Sequence, residues 1–292
     1  MKRLIITGDD FGLAVPINEA IEQAHCTGVL SCASLMVGAK AAADAVERAK
    51  RLPDLKVGLH LVLVDGCPIL PPETVPDLVD ARGEFHRNLV AAGSRFFFGA
   101  RARRQLEAEI EAQFSAFQKT GLLLDHVNAH NHMHLHPTVL GLILKHGGNF
   151  GFSAMRVPFE PPLISWRAVR TRLVARLANG VLLAPWIKLL RWRLHRAGIR
   201  ANDAIFGLND SGAMEESLVL RLLEQLPEGV TELYFHPATR RCPEIAKTMP
   251  DYRHEEELNA LMSPKVREAM KRLGLRPNGF TDLSTIKVMS IR

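Results

Sequence analysis

The stretch RLIITGDDFGLAVPINEAIEQAHCTGVLSCASLMVG, from Arg3 to Gly38, predicts a strand, a helix and a second strand. Its first apolar run ends at Gly8 and has the length of a buried strand. Pro16 suits the first turn of the amphipathic helix that follows, and Gly28 ends that helix. The apolar run SCASLMVG then supplies the second strand. A strand, helix, strand unit of this kind is typical of a parallel sheet.

The same alternation continues along the rest of the chain. Further strands are predicted at KVGLHLVL, LLLDHVNAH, SAMRVP, DAIFGL, VTELYFHP and PNGFTDL, with amphipathic helices between most of them. A long charged helix is predicted from about Arg101 to Lys119, and Ser263 is predicted to cap the last helix. We therefore expect one α/β domain over residues 1–292, a (β/α) barrel that is TIM-like or incomplete and seven-stranded. No G-x-G-x-x-G motif follows the first strand, which weakens a dinucleotide-binding interpretation.

The composition indicates a cytoplasmic globular protein. Of the 292 residues, 47% are hydrophobic, and the mean hydropathy is +0.01 without any long uncharged apolar run. The N-terminus reaches Asp9 after only a short apolar stretch, which is too little for the apolar region of a signal peptide. The four cysteines form no C-x-x-C pair, and we expect them to be reduced thiols.

The positive charge is concentrated in a helical insert at about residues 161–202. The whole chain carries +6, whereas this insert contains eight Arg and one Lys without any Asp or Glu, so the remainder carries −3. It also holds all the tryptophans of the chain, which are Trp166, Trp186 and Trp192. Cations and Trp beside an apolar face are typical of a helix that lies on an anionic membrane.

Two other interpretations of the insert stay open. It could be an ordinary helical excursion whose apolar face packs on the barrel. Nucleic-acid binding ranks third, because nothing else in the chain supplies a known nucleic-acid-binding module. Asn179–Gly180 and Pro185 are expected to break the insert into two helices.

A histidine-rich run, VNAHNHMHLHPTV, spans Val127 to Val139. His130, His132, His134 and His136 occupy alternate positions, so an extended conformation would place them on one face. Neutral imidazole is the commonest metal ligand in proteins. Four residues at this spacing span about 20 Å of strand, which is too far for all of them to share one ion. At most two of them can be direct ligands, and the remaining ligands must lie elsewhere in the chain.

Polar residues recur at the carboxyl ends of the predicted strands. They are Asp9 and Asp10 after LIITG, His60 in VGLHL, His130 after LLLDHVNA, Arg156 in SAMRVP, and His236 after ELYF. In a (β/α) barrel these ends form the mouth, where active sites lie. Each residue also has a structural interpretation by itself, such as a turn for the Asp pair or a salt bridge for Arg156. Buried together, however, two carboxylates and three imidazoles require a cation, and a bound divalent metal ion explains them best.

This set of residues suits hydrolysis. One carboxylate and two imidazoles leave coordination positions open on a metal ion, as hydrolytic sites require. The second carboxylate of the Asp9 and Asp10 pair can then act as general base on a water molecule. His236, on another strand, can protonate a leaving amine. Arg156 is a further catalytic candidate.

Four motifs together resemble the YdjC/ChbG-like carbohydrate deacetylases, and more closely the hopanoid-biosynthesis-associated members of that family. They are GDDFG at Gly8–Gly12, VGLHLVL around His60, NAHNHMHLHP and ELYFHP, which occur in the family's order over about 230 residues. Each motif is weak alone, but the set is specific. The resemblance implies a barrel related to the polysaccharide deacetylases that removes the acetyl group from an N-acetylated sugar.

Carried over to the matching positions, the resemblance implies that the metal ligands are Asp10, His60 and His130, that the base is Asp9 and that the acid is His236. His132 and His134 would contact the substrate or support the ligands, and His136 would be structural. Asn128 stands where family members often carry Asp, so a carboxylate behind the ligands is missing. The ion would be magnesium by resemblance, whereas two imidazoles and one carboxylate suit zinc or another transition metal better.

We therefore expect a metal-dependent N-deacetylase that acts on a lipid-linked amino sugar, such as an N-acetylglucosaminyl hopanoid. The first alternative is a deacetylase of soluble chito-oligosaccharides. A phosphoesterase is the second, because clusters of His and Asp also serve phosphoryl transfer. A non-catalytic protein that binds membrane surfaces is the third, and it would leave the polar residues at the mouth unexplained. The expected location is the cytoplasm, with peripheral contact on the inner face of the cytoplasmic membrane if the substrate is amphiphilic.

Overall fold

A curled parallel sheet forms the centre of the protein, seen in a computed structural model that describes residues 2–283. The strands are β1 Lys2–Phe11, β2 Cys32–Leu35, β3 Lys56–Leu61, β4 Val127–Ala129, β5 Ala154–Met155, β6 Arg200–Ala201, β7 Ala204–Phe206, β8 Gly229–Phe235 and β9 Pro277–Asn278. Their order across the sheet is β6-β5-β4-β3-β2-β1-β8-β7, and β9 adds to the first half of β1. Every pairing between these strands is parallel.

The two ends of this sheet are joined in sequence. β6 and β7 lie at opposite ends of the strand order, yet only Asn202 and Asp203 separate them in the chain. The sheet must therefore curl until its edges meet. The Asn202 side chain closes the gap, since its amide donates to the carbonyls of Val157 (2.9 Å) and Ala204 (3.0 Å) and its oxygen accepts the Val157 N–H (2.7 Å). The predicted α/β barrel is confirmed in its incomplete form.

Helices surround the sheet and cover its outer face. They are α1 Val15–Cys26, α2 Ala42–Lys50, α3 Leu89–Phe98, α4 Ala100–Lys119, α5 Pro137–His146, α6 Pro162–Val169, α7 Leu173–Arg196, α8 Glu216–Glu224, α9 Pro243–Thr248, α10 His254–Met262 and α11 Pro264–Arg272. Ser263 caps α11 as predicted, because its hydroxyl accepts the N–H groups of Lys265 and Val266. Helices α3 and α9 were not among the predicted elements.

The histidine-rich run is not extended, so that prediction is wrong. β4 ends at Ala129, and a 3-10 turn covers His130–Leu135. Asn131 and His132 have φ values of 52° and 53°, in the left-handed region. The chain must turn here because β4 pairs with β3 only as far as Ala129 and α5 begins at Pro137. The four imidazoles therefore do not share one face.

The helix break predicted for the basic insert is also misplaced. α7 runs without interruption through Asn179–Gly180 and Pro185, and the chain instead breaks between α6 and α7. Arg170 and Arg172 adopt left-handed φ values of 63° and 57° at that break. Pro185 is tolerated because it lies on the exposed side of α7, where water can satisfy the carbonyl that loses its helical donor.

Candidate active site

The end of β1 presents two buried carboxylates at the mouth of the barrel. Asp9 and Asp10 are adjacent in the chain, and both are almost completely inaccessible to solvent. The pairing of β1 with β2 shifts register between Gly8 and Phe11, and Asp10 takes a φ of 61°. This irregularity turns the two side chains toward different partners.

Asp10 faces two histidines from other strands. Its Oδ1 lies 3.3 Å from Nε2 of His60, on β3, and 3.3 Å from Nδ1 of His130, which follows β4. One ligand atom from each of the three residues lies within 4.8 Å of the others. Neither Asp10 oxygen accepts a hydrogen bond from the described residues. A buried carboxylate without donors is costly unless a cation compensates it, so this donor set fits a divalent metal ion.

The orientation of His60 depends on Asn128. The amide of Asn128 lies 2.7 Å from Nδ1 of His60. With its oxygen toward His60, the amide accepts from Nδ1–H and leaves Nε2 free to bind a cation. With the amide reversed, its oxygen instead accepts from the Arg156 guanidinium at 3.0 and 3.2 Å and from Ser34 at 2.9 Å. Metal binding through Nε2 therefore requires the first orientation.

Asp9 is held by Arg156. Nη1 of Arg156 lies 2.5 Å from Oδ2 of Asp9, and Nη2 lies 3.0 Å from Oδ1. The same guanidinium donates to Glu232 of β8 at 2.7 and 3.0 Å and stacks over the ring of Tyr234 at 4.7 Å. Burial by itself would raise the pKa of Asp9, but Arg156 more than offsets it and holds that pKa well below its usual range. Asp9 is therefore an anion in a fixed orientation.

Sequence reasoning identified Arg156 but missed Glu232. A signal was present, because Glu232 and Tyr234 of β8 and His236 directly after it occur at alternate positions. Alternate strand residues share a face, and in this strand that face meets Arg156 inside the barrel. A lone carboxylate within an apolar strand pointed to a buried cation partner.

His236 follows β8 and lines the same cavity. Its side chain is buried, and its Nδ1 has no hydrogen-bond partner among the described residues. Burial lowers the pKa of His236 to about 4. Its backbone N–H donates to Glu257 of α10 at 2.5 Å, and the other oxygen of Glu257 accepts the N–H of Met214 at 3.0 Å. Glu257 therefore connects the end of β8 to the loop that follows β7.

Glu257 was not singled out from the sequence. It is fully buried, and burial raises its pKa to about 7. It belongs to an acidic run, Glu255–Glu257, whose other members are exposed. Helical spacing was the available signal, because Glu257 lies three residues after His254 and four before Leu261, both of which are buried.

The other histidines of the run are not part of the Asp10, His60 and His130 triad, which is the candidate metal site. His132 lies with Nε2 3.4 Å from the hydroxyl of Tyr234, and burial lowers its pKa to about 3. His134 is fully buried without a partner for either ring nitrogen among the described residues, and burial lowers its pKa well below the usual value. His136 packs against Phe96 and Phe97 of α3. Only His130 of the run joins Asp10 and His60.

The comparisons with known proteins identify the family. The family model described as "YdjC-like protein" matches residues 3–272. The chain belongs to the YdjC-like family. It is 28% identical over 292 residues to a carbohydrate deacetylase of Vibrio parahaemolyticus, covering 99% of this chain and 100% of that one. It is 38% identical over 160 residues to a carbohydrate deacetylase of Brevibacillus brevis, a match that covers 55% of this chain and 59% of that one.

A solved structure has the same fold as this YdjC-like chain. A putative cellobiose-phosphate cleavage protein from Enterococcus faecalis superposes with a TM-score of 0.74 at 25% sequence identity, over 96% of this chain and 98% of that one. The resemblance to YdjC/ChbG-like proteins is thus confirmed. A closer relation to the hopanoid-associated members stays a prediction.

Two connected cavities open at the mouth of the YdjC-like barrel. The first, which we call the catalytic cavity because of the candidate residues in it, is lined mainly by Asp9, His60, His130, His132, Tyr234 and His236, together with Leu208, Ser211 and Tyr252. A side groove adjoins it, and the two share Asp65, His130 and Thr248. The groove has an apolar floor that includes Met36 and Val62, and Arg87 lies on its rim. A substrate larger than one sugar can therefore extend from the catalytic cavity into the groove.

A second cluster of potential ligands lies at the opposite end of the barrel. Cys32, Asp125 and His126 also place one ligand atom each within 4.8 Å of one another. Here the carboxylate is already satisfied, since Asp125 accepts the N–H groups of Phe280 (3.0 Å) and Thr281 (2.9 Å). Burial raises the pKa of Cys32 well above its usual value, which keeps the thiol protonated. This cluster fastens the chain near residue 280 to the barrel and does not resemble a metal site.

Proposed function

We propose that this protein is a metal-dependent carbohydrate N-deacetylase. The observation that carries the proposal is the arrangement of Asp10, His60 and His130 around one point, next to a second carboxylate held by Arg156. The names of relatives in the same family, which are carbohydrate deacetylases, support it. A divalent ion at the triad would polarise the acetamide carbonyl and favour attack by water.

Asp9 would act as the general base. The Arg156 contacts keep Asp9 ionised and fix its orientation beside the triad. Asp9 can accept a proton from the water molecule that attacks the carbonyl carbon. Arg156 does not touch the substrate in this scheme, and it acts as a positioning residue.

His236 would deliver a proton to the leaving nitrogen. After water has added to the carbonyl carbon, the C–N bond breaks, the nitrogen takes a proton, and acetate and a free amine are released. His236 is neutral at pH 7 because burial lowers its pKa to about 4. It becomes a donor only after it receives a proton, and Asp9, which lines the same cavity, would pass on to it the proton taken from the attacking water.

The proposed ion is divalent, and the ligands and the family resemblance suggest different metals for it. Two imidazoles and one carboxylate favour zinc or another transition ion, whereas the family resemblance suggests magnesium. Reconstitution of the metal-free protein with each ion in turn distinguishes the two.

We propose a lipid-linked substrate because of α7. Among the described residues, this helix of 24 residues is long and apolar enough to cross a membrane by length and composition alone, with a mean hydropathy of 1.5, and 17% of its apolar window is buried. Val174, Val181 and Leu182 are 80%, 75% and 71% exposed. Trp186 and Trp192 are also exposed, whereas Trp166 is half-buried under Arg170.

The charges of α7 favour a helix that lies on a membrane. Arg176 is the only charged residue between residues 173 and 187, and it is buried against Asp210 and Glu160. The exposed stripe is thus uncharged, and cations flank it at both ends. Because Arg176 ties α7 to the barrel, we propose interfacial contact with an anionic membrane. The substrate would then be an N-acetylglucosaminyl hopanoid or a similar amphiphile, with its sugar in the cavity.

The runner-up is a deacetylase of soluble chito-oligosaccharides. The side groove favours it, because the paired charges Asp65 and Arg87 (3.1 Å) at its rim can bind the hydroxyl groups of a second sugar. A phosphoesterase is disfavoured. The catalytic cavity is lined by no Lys or Arg among the described residues, and Arg156 behind it is fully engaged by carboxylates.

Acetate release tests the proposal. We expect the purified protein to release acetate from an N-acetylglucosaminyl lipid or from N,N′-diacetylchitobiose (called chitobiose below), to lose this activity with a chelator, and to regain it when one divalent ion is restored. The ratio of kcat/KM between the lipid and chitobiose decides between the two substrate classes. Release of phosphate from a phosphate ester, or acetate release that a chelator leaves unchanged, would exclude the proposed reaction.

A further inference from the structure

Helix α3 exposes an aromatic pair. Phe97 and Phe98 are 49% and 79% exposed, and their rings contact each other at 5.0 Å. The opposite face of the helix packs Ala92 and Phe96 into the core. Val90, on the side of the helix that faces solvent, is 80% exposed. A short helix is thus anchored by one face and presents large apolar side chains to solvent by the other, which marks an interaction surface.

This surface lies at the mouth end of the barrel. Asn88 caps α3 by accepting the N–H of Ala91 at 3.0 Å, and Arg87, immediately before it, lies on the rim of the side groove. Phe96 and Phe97 both contact His136, at the end of the 3-10 turn that begins with His130. α3 is therefore attached to segments that border both cavities.

The charge beside the aromatic pair is positive. Arg101, Arg103 and Arg104 follow within the first turns of α4. Arg101 pairs with Asp77 at 2.6 Å, whereas Arg103 and Arg104 are exposed and form no ion pair with any residue between 2 and 283. Exposed phenyl rings next to unpaired guanidinium groups complement an anionic lipid surface, where the rings enter the interface and the cations meet headgroups.

We propose that the α3 tip, Phe97 and Phe98, is a second membrane contact that acts together with α7. α7 is tied to the loop after β7 through Asn179–Asn209 (3.1 Å) and Arg176–Asp210 (2.6 Å), and that loop lines the catalytic cavity through Leu208. The two exposed apolar surfaces thus flank the same mouth. Contact through one helix would let the barrel rotate about it, whereas two contacts hold the mouth toward the bilayer. The inference rests on the membrane contact of α7 proposed above.

Vesicle binding by the full chain tests the α3 tip. The probes are vesicles of phosphatidylcholine alone and vesicles that also contain phosphatidylglycerol, with the bound fraction measured by sedimentation. We expect Phe97→Ser with Phe98→Ser to weaken binding to the anionic vesicles at least about tenfold, because two buried phenyl rings are lost. Phe98→Ser alone should produce a smaller loss. Arg103→Gln with Arg104→Gln should weaken binding to the anionic vesicles only.

Leu123→Ser is the matched control. Leu123 is an apolar residue with 91% exposure in the loop before β4, at the end of the barrel away from the mouth. We expect this variant to bind vesicles like the wild type. Acetate release from soluble chitobiose should be the same in all these proteins, which shows that each one is folded.

Three results would overturn the inference, and they are distinct from failure of the proposed reaction. Unchanged vesicle binding in the Phe97 and Phe98 variant, with binding lost in a Val181→Ser and Leu182→Ser variant, would leave α7 as the membrane contact and exclude α3. A dimer in solution that the Phe97 and Phe98 substitutions dissociate would make the surface a protein interface. Absence of vesicle binding by the wild type would exclude both membrane contacts. Absence of acetate release would exclude the reaction without affecting the vesicle result.

Discussion

Two carboxylates that are adjacent in the chain have opposite surroundings in this protein. Asp9 accepts charge-assisted hydrogen bonds from Arg156, whereas Asp10 has no hydrogen-bond donor among the described residues and faces two imidazoles. The difference of partners separates a residue that can take up a proton from one that can bind a cation. Substitutions at the two positions should therefore have different effects.

Asp9→Asn should keep the metal and lose turnover. The amide retains the shape of the side chain but cannot accept the proton of the attacking water, so kcat should fall by about 10²- to 10⁴-fold. His130→Ala removes one of three proposed ligands and should lose both metal and activity. Metal content by elemental mass spectrometry and kcat measured on the same samples check this. Metal bound at the wild-type level in the His130 variant would remove that residue from the ligand set.

Glu257 provides a pH-dependent prediction. Burial raises its pKa from 4.5 in the unfolded chain to about 7, so the folded state favours the neutral acid. The contribution of this carboxyl to the free energy of unfolding is fully present below pH 4.5. It is lost as the pH rises through 7, and the total loss is about 3 kcal/mol.

Glu257→Gln should remove this pH dependence. The amide of the variant places an N–H against a backbone N–H donor, so the variant should be less stable than the wild type at pH 5. The difference in unfolding free energy should be smaller at pH 8, because the wild type has by then lost the contribution of Glu257. Urea unfolding at both pH values measures it. If the difference in unfolding free energy between wild type and variant stays constant or grows from pH 5 to pH 8, the Glu257 carboxyl is ionised over that whole range.

At the scale of elements, the turn at His130–Leu135 shows what a sequence pattern cannot specify. Alternating histidines have the period of a strand, and the pattern predicted one. Strand length depends on a partner, however, and β4 has partners for three residues only. The left-handed backbone of Asn131 and His132 is imposed by the need to reach α5. Local composition carries no information about either constraint.

A buried cation, Arg176, attaches the N-terminal half of helix α7 to the barrel. The Arg176 side chain is 2% exposed and pairs with Asp210 at 2.6 Å, while Glu160 beside it accepts the N–H groups of Leu208 and Asn209. Arg176→Met should leave these carboxylates unpaired and destabilise the fold by about 3 kcal/mol. We also expect faster proteolysis within α7, measured by mass spectrometry of the fragments.

Arg167→Met is the control for that prediction. It removes an exposed cation from α6 in the same insert, so its stability should stay within about 0.5 kcal/mol of the wild type. Equal stability of both variants would show that the Arg176 ion pair does not hold α7.

For the whole molecule, the closure of the sheet is the feature to test. Asn202 satisfies three backbone groups between the two sheet edges. Asn202→Ala would leave the buried N–H of Val157 without its acceptor and remove one donor from each of the carbonyls of Val157 and Ala204, which should cost about 2–3 kcal/mol in unfolding free energy. Asn179→Ala, which removes one exposed hydrogen bond to Asn209, should change the unfolding free energy by less than about 0.5 kcal/mol. Equal changes in unfolding free energy in the two variants would show that Asn202 does not stabilise the closure of the sheet.

Much of this architecture is predictable because strand ends in a parallel barrel must converge. The sequence places Asp9, Asp10, His60, His130, Arg156 and His236 after apolar runs, and the structure brings these residues to one mouth. Glu232 and Glu257 were not predicted because their partners come from distant segments. The spacing around each residue indicates that it is buried, but it does not indicate what the carboxylate contacts. The exposed face of α3 was not predicted either, because exposure of Phe97 and Phe98 depends on which neighbouring elements cover them.

The join between the sheet edges lies next to Arg156, which holds the proposed general base, and this position has a consequence for how the protein loses activity. Val157, which Asn202 holds, directly follows Arg156. Asp10 lies on β1, His60 on β3 and His130 directly after β4, and none of the three contacts Asn202. Warming should loosen the join first, so Arg156 would release Asp9 while Asp10, His60 and His130 keep their arrangement. Such a protein would lose activity at a temperature below that of global unfolding. Amide hydrogen exchange at Val157 and Ile205 should then be faster than exchange in β1.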